Sequence, residues 1–335
     1  MRPFIAECQE LIIKVRSELA LNERDWERNF RKYLKRVLNA KYLINIHKII
    51  DCLGDYLSLT VSFSDIDKNC IRVRYLGQMI AMINIRSNGI YMSTVNKTRE
   101  ENNERHFDCN IVLRNELWGS EKVKNFLTHF KGLPKRDNEI VTSHKVEEDR
   151  LEDLIVYRFR KDSQNSSSGF FPVNISGITF KFHTPIKGSG HNKGNYISSG
   201  PSHVDILARY RSNDADEERL CIIELKDENV PNEPVEMVVQ QALVYAVFIR
   251  ELLRSESGEL WWRFFGFDTP LPEKLVLIAA SMMPDVSAEY SSSNVDEVFG
   301  GYQLHLEEGS DDVIELHYIY FNKEENGVGV TKMSL

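Results

Sequence analysis

Leu220-Cys221-Ile222-Ile223-Glu224-Leu225-Lys226 is an apolar run into which two charges have been set. A short continuous apolar run of this kind fits a strand buried on both faces. Burying a charge without a partner is expensive, so Glu224 and Lys226 need a physical reason to be there. Side chains two apart on a strand share a face, which points both groups the same way about 6.6 Å apart along the chain. They form a matched acid and base.

Upstream, His203-Val204-Asp205-Ile206-Leu207-Ala208 is a second apolar strand interrupted by one acid, and Arg211 to Arg219 supplies the polar residues of a reversal. The two strands are therefore expected to be hairpin neighbours, about 4.8 Å apart, with Asp205 and Glu224 converging on one point. Two carboxylates about 4.5 Å apart repel by about 4 kcal/mol at an effective dielectric of 20. A divalent cation turns that penalty into binding. Oxygen ligands with open water positions suit Mg²⁺ or Mn²⁺, which polarises a phosphoryl oxygen and helps ionise a water. Lys226 is then placed to orient or deprotonate that water, or to neutralise charge on the phosphate. On these terms, removing one carboxylate charge leaves the metal-free protein as stable as before, or more so, whereas if the acids are structural partners of Lys226 the same change costs about 3 kcal/mol or more.

Working outward, residues 4–19 and 23–50 show apolar positions at three- and four-residue steps, which predicts two amphipathic helices. Strand-like runs follow at 57–63, 71–76, 79–85, 90–95 and 109–113, with hairpin turns at Leu76-Gly77-Gln78 and Ser87-Asn88-Gly89. A helix over 121–131 starts after Ser120 and stops at Gly132 before Pro134, and the polar stretch beyond it sets a domain boundary near residue 137. The second half reads as a helix at 146–160, strands near 171–175, 178–184, 203–211 and 219–226, a helix at 233–254, a strand at 274–282, and a final hairpin of 302–306 with 313–321. The expected fold class is α/β: an α-β-β-β-α-β core with a mixed sheet over 138–335, preceded by an α+β domain over 1–137.

Asp205, followed after 18 residues by Glu224-Leu225-Lys226, resembles the Asp…Glu-x-Lys motif of the PD-(D/E)XK nuclease superfamily, whose restriction-endonuclease-like core has the same α-β-β-β-α-β order. The resemblance covers roughly 146–283. It implies a metal-dependent nuclease acting on DNA, with Asp205, Glu224 and Lys226 as the catalytic centre and Mg²⁺ or Mn²⁺ as cofactor. Gln241-Ala242-Leu243-Val244-Tyr245 resembles the Gln-x-x-x-Tyr element of the RecB-like branch, and its i, i+4 spacing sets Gln241 and Tyr245 on one helical face. Glu148 resembles the helix acid that serves as a further metal ligand in this superfamily, with Glu147 and Glu152 as alternatives. The chain departs from the pattern at Val204, where the motif's name has proline, at a position that varies among members. The alternative is a catalytically silent nuclease-fold module that binds nucleic acid or a protein partner.

Composition bounds the rest. The 335 residues carry a formal net charge of −8 and are 42% hydrophobic, enough for two cores. Residues 1–50 have a charge balance of +5 and residues 284–335 one of −9. Arg24, Arg28, Arg31, Lys32, Lys35 and Arg36 are thus candidate phosphate contacts, beside the alternative of a solvated helix face. Cys8, Cys52, Cys70, Cys109 and Cys221 are odd in number and scattered, so reduced thiols and no structural zinc are expected. Lys187 to Gly194 lacks the Gly-x-x-x-x-Gly-Lys-Ser/Thr order and is read as a mobile, mildly basic loop beside the site; His191 and His203 are left out of the site. With no apolar run near the length of a membrane span and an N-terminus that turns charged early, the chain is expected in the cytoplasm, off membranes. The first half is expected to bind substrate or a partner, or to form a homodimer.

Overall fold

The computed structural model describes residues 3–39, 53, 57–95, 109–132, 144–165, 169–197, 202–211, 218–226, 234–284, 302–306, 311–324 and 327–333. The expected boundary near residue 137 lies outside them, as do positions 40–50 of the second predicted helix and Cys52. The chain forms a mixed α/β structure of two compact units that interleave in sequence. One unit comprises 35–154 with 174–181, and the other 1–34, 155–173 and 182–335.

The first of these units is built on the strands β1 (Leu57–Ser62), β2 (Cys70–Tyr75), β3 (Gln78–Arg86), β4 (Gly89–Thr94), β5 (Glu116–Leu117), β7 (Asn174–Ile175) and β8 (Ile178–Lys181). They lie in the order β5-β4-β3-β2-β1-β8-β7, antiparallel except for β1 and β8. At the β2–β3 turn both Leu76 and Gly77 have positive φ, as a two-residue hairpin turn whose twist matches its strands requires. Gly77 is needed twice over, because a Cβ there would fall 2.0 Å from the Asp149 carbonyl oxygen. The helix α3 (Phe63–Asp67), where a strand end was expected, begins at a Ser62-x-x-Asp65 pair in which the Ser62 N–H donates to the Asp65 carboxylate at 2.9 Å. Helix α4 (Glu121–Gly132) buries Val123, Phe126, Leu127 and Phe130 at helical spacing. Cys109 to Leu113 is not a strand, although Leu113 is tied to Thr94 through its carbonyl at 3.1 Å.

The run 178–184, expected as one strand of the nuclease-like series, divides. Ile178–Lys181 pairs with β1, and Lys181 makes an ion pair with Glu152 of α5 (His144–Asn165). Phe182 instead joins an aromatic cluster in the other unit with Phe30, Trp261 and Phe265.

That second unit holds β6 (Phe170–Pro172), β11 (Ile206–Arg211), β12 (Glu218–Leu225), β13 (Val276–Pro284), β14 (Tyr302–His305), β15 (Val313–Glu324) and β16 (Gly327–Met333), and a two-stranded pair of β9 (His183–Thr184) and β10 (Ser202–His203). β6, β11 and β12 run antiparallel in turn, and β12, β13 and β15 are parallel neighbours. β14 and β16 pair antiparallel with the two halves of β15. The parallel step from β12 to β13 crosses through α6 (Val235–Arg254) and α7 (Gly258–Phe264), as parallel pairing demands.

Helix α6 is buried all round from Gln241 to Arg250, the expected state of a stretch that is predominantly apolar on every side, and only its ends reach solvent. One side packs on β12, β13 and β15. The other meets α1 (Pro3–Leu21), whose stripe Ile5, Cys8, Ile12, Val15 and Leu19 is buried, and the Trp26 and Phe30 rings of α2 (Glu23–Leu38), both packed edge-on against Phe248. The helices grouped by sequence with the first sheet thus supply α1, and α2 as far as Leu34, to this core. On the other sheet face Phe159 of α5 stacks on Phe170, which touches Tyr210.

Buried charges in this unit are paired. Asp312 receives hydrogen bonds from Arg250 and Arg254 and from the Leu275 N–H. Burial alone would raise its carboxyl, but these contacts outweigh it and hold it below its ordinary value. On the sheet face away from Glu224, Glu315 is bound by His317, Gln303 and Arg219 in the same manner. Among the described residues no helix is long and apolar enough to cross a membrane. Cys8, Cys70, Cys109 and Cys221 are free and buried, and burial pushes the Cys8 and Cys70 thiols up to about 12 and about 11.

Candidate active site

The β11–β12 register pairs Ile206 with Ile223, so one further step sets Asp205 across from Glu224 on the same sheet face. On the other side Glu224 is aligned with Ser281 of β13. The ladder continues one residue beyond β12, where the Lys226 N–H donates to the Met282 carbonyl at 3.0 Å. Three strands therefore fix the backbone beneath the acid, the base and their neighbour, at the edge where the parallel strands end. In open α/β sheets this edge is where ligands bind.

The Lys226 ammonium lies 3.3 Å from Glu224 Oε1, and both residues are buried, at 9% and 5% exposure. Asp205 is half-buried and accepts the Leu225 N–H on Oδ2 at 2.9 Å. That bond locks β12 to the residue preceding β11 and fixes the Asp205 carboxylate toward Glu224's end of the strand. A carboxylate that accepts a backbone N–H on one oxygen keeps acceptor capacity on the other.

Tyr245 comes to this cluster from α6. Its hydroxyl is within hydrogen-bonding reach of the Ser202 side chain and the Gly188 backbone. Burial and the charges of Glu224 and Asp205 push its pKa up, which keeps the phenol protonated across neutral and alkaline pH. Gly188 is the residue that makes this approach possible, since a Cβ there would sit 2.3 Å from the Tyr245 hydroxyl. Gln241, one turn earlier on α6, is buried at 2% exposure.

Glu148 is half-buried on α5 within the unit of 35–154 and 174–181; in that unit Glu152, one of its alternatives, is committed to Lys181, and the side chain of Glu147 lies outside the described residues. Of the basic residues on α2, Arg28 pairs with Asp25, Arg31 with Glu256 and Arg36 with Asp67, while Arg24, Lys32 and Lys35 are exposed. His203 packs edge-on against His183 across β9 and β10, with ring centroids 4.1 Å apart.

Compared with family models, curated proteins and solved structures, the chain matches none. The chemistry of the site thus rests on its own donor set. Asp205 and Glu224 offer carboxylate oxygens from two strands, and among the described residues no third His, Cys, Asp or Glu joins them in a group. One or two carboxylates with the remaining positions filled by water is the set that Mg²⁺ takes, so the residues present fit that ion.

Sequence reasoning passed over Ser202, Gly188 and Ser281. Ser281 carried the same signal as Glu224, a polar residue set in an apolar strand, Val276–Pro284. Its side chain is fully buried beside Glu224, and Oγ finds no hydrogen-bond partner among the described residues. Ser202 and Gly188 carried no signal, because their role lies in contact with Tyr245, more than 40 positions along the chain.

Proposed function

We propose that this unit is a metal-dependent nuclease that hydrolyses phosphodiester bonds in DNA, built on a restriction-endonuclease-like core. The observation that carries the reading is the alignment of Asp205 with Glu224 across adjacent strands, with Lys226 paired to Glu224 on the same face. The antiparallel series β6, β11 and β12 and the helical crossover to a parallel β13 support the core assignment, as does the arrival of Tyr245 from the crossover helix.

In this mechanism Asp205 and Glu224 would hold Mg²⁺ or Mn²⁺, which when bound would polarise a phosphoryl oxygen and make water a better nucleophile. Glu224 orients the Lys226 ammonium. As water adds to phosphorus and gives up one proton to solvent, the bond to the leaving oxygen breaks and that oxygen takes a proton from solvent, while Lys226 donates hydrogen bonds to the phosphate oxygens that gain negative charge. The Tyr245 hydroxyl, held protonated, orients the incoming water or a phosphate oxygen without taking a proton from either. Burial of Glu224 and Lys226 raises the worth of each of these contacts over its value in water.

A second reading has an observation of its own. Asp205 with the Leu225 N–H, and Lys226 with Glu224, also form a network that holds the sheet edge together, as a silent nuclease-fold module would need. Plasmid and duplex oligonucleotide substrates incubated with the full chain in Mg²⁺, Mn²⁺ or EDTA separate the two. Metal-dependent cleavage that is lost in Asp205→Asn and Glu224→Gln supports the nuclease. Absence of cleavage in every metal, with no metal-induced rise in melting temperature, leaves the silent module.

A further inference from the structure

The loop from Lys187 to Lys193 lies beside the site and is built rather than merely present. The Gly194 N–H donates to the Lys187 carbonyl at 2.7 Å, the Lys187 N–H to the Asn195 carbonyl at 3.0 Å, and the Lys193 N–H to the Gly190 carbonyl at 3.0 Å. Its base is bolted to the helices. Gly194 packs on Leu11 and Val15, the Lys14 ammonium donates to the Lys193 carbonyl, and Tyr196 donates to Glu18 through its N–H and to Asp25 through its hydroxyl. Gly188 meanwhile touches the Tyr245 hydroxyl, which feels the charges of Glu224 and Asp205.

Its two cations differ. Lys193 is committed to Gln240 Oε1 at 3.0 Å. The Lys187 ammonium makes no hydrogen bond or ion pair with any described residue and lies against Gly190, amid the exposed residues Ser189, Gly190, His191 and Asn192. Gly188 is taken up by Tyr245, but Gly190, exposed and with positive φ, leaves the backbone open to close approach. A braced, half-buried cation flanked in the chain by exposed hydroxyl and amide donors, beside the site that holds the carboxylate pair, is suited to a phosphate and carries nothing that would read a base edge.

We propose that this loop seats a backbone phosphate of the nucleic-acid strand entering the site, with Lys187 as the ionic contact and Ser189 and Asn192 as its neutral donors. Lys187 is a positioning residue that brings the strand to Asp205 and Glu224 against their own repulsion of it. The inference rests on the nuclease reading for its substrate, but its test does not depend on cleavage.

A fluorescein-labelled 20-base-pair duplex is titrated with the full chain in Ca²⁺ at several salt concentrations, for wild type, Lys187→Ala, Glu224→Gln and Lys274→Ala. Lys274 is exposed and precedes β13, at the opposite end of the sheet. Loss of one phosphate contact lowers the slope of log affinity against log salt by about one and weakens binding about tenfold at 0.1 M salt. That change is expected in Lys187→Ala with an unchanged melting temperature, and not in Lys274→Ala. A Lys187→Ala slope equal to that of wild type overturns the proposal, as does a wild type that does not bind the duplex. Binding that depends on Lys187 in a chain that never cleaves in Mg²⁺ or Mn²⁺ sinks the nuclease reading and leaves the phosphate seat standing.

Discussion

Glu224→Gln is the most informative single change, because the two roles open to Glu224, metal ligand repelled by Asp205 and partner of Lys226, have opposite effects on the metal-free protein. Read as two bare carboxylates, Asp205 and Glu224 repel, and removing one charge relieves the metal-free protein. In the structure Glu224 also neutralises the Lys226 ammonium at 3.3 Å, with both groups buried. At an effective dielectric of 20 that contact is worth about 5 kcal/mol of gross attraction, slightly more than the carboxylate repulsion it opposes. Removing one partner of a buried pair typically costs about 3–5 kcal/mol, and glutamine keeps an oxygen for the ammonium, so about 3 kcal/mol is expected. At roughly 2–4 °C per kcal/mol this lowers the metal-free melting temperature by about 6–12 °C. Metal adds a second readout. At a free Mg²⁺ concentration of about 100 times its dissociation constant the wild type gains about 2.7 kcal/mol, and Glu224→Gln gains none. Differential scanning calorimetry of both proteins in EDTA and in excess Mg²⁺ gives all four numbers. Equal melting in EDTA refutes the buried-pair accounting, and an equal Mg²⁺ shift in the two proteins refutes Glu224 as a ligand.

Three further outcomes are expected. Gly188→Ala drives a methyl into the Tyr245 ring and lowers stability by about 1–3 kcal/mol; an unchanged urea midpoint contradicts the close approach. The Tyr245 phenol is raised above its ordinary value, so ultraviolet difference titration shows it ionising after the exposed tyrosines, and Tyr245→Phe lowers cleavage without moving the alkaline limb of the pH–rate profile; a limb that moves assigns that ionisation to Tyr245. Asp312 is held below its ordinary value of 3.8, so its stabilisation is complete above that pH and is lost as pH falls through the lowered folded-state value. Asp312→Asn should therefore cost about 3 kcal/mol at pH 7, with the gap to wild type closing in urea melts below about pH 4; a gap that stays constant with pH removes the charge as its cause.

What was legible in the chain follows from what local pattern encodes. The charges of Glu224 and Lys226 stood out because their strand is otherwise apolar, and the hairpins at Leu76-Gly77 and Ser87-Asn88 because turn chemistry is local. Periodicity says that a face is buried and not what buries it. The stripe on α1 was readable, yet its partner α6 begins more than 200 positions later, beyond any local pattern. Ile178 to Thr184 alternates as one strand would, and only tertiary pairing sends Ile178–Lys181 to β1 and Phe182 to the Trp261 cluster. Helix α7 was hidden because Trp261, Trp262 and Phe264 favour strands at least as much as helices. The Ser62-x-x-Asp65 pair of α3 was a readable signal masked by the strand-like run before it.

The burial of α6 on both sides has a consequence for synthesis. A chain emerging from the ribosome at about 5–20 residues per second waits roughly 10–50 s between completing α1 and completing the helix it packs against. During that interval α1 carries an apolar stripe with nothing to receive it, a natural landing site for a chaperone. The same wait becomes permanent in a truncated gene. A fragment beginning at residue 138 would keep Asp205, Glu224, Lys226 and Tyr245, yet it would present the Phe248 side of α6 to water and is expected to aggregate before its chemistry is measured.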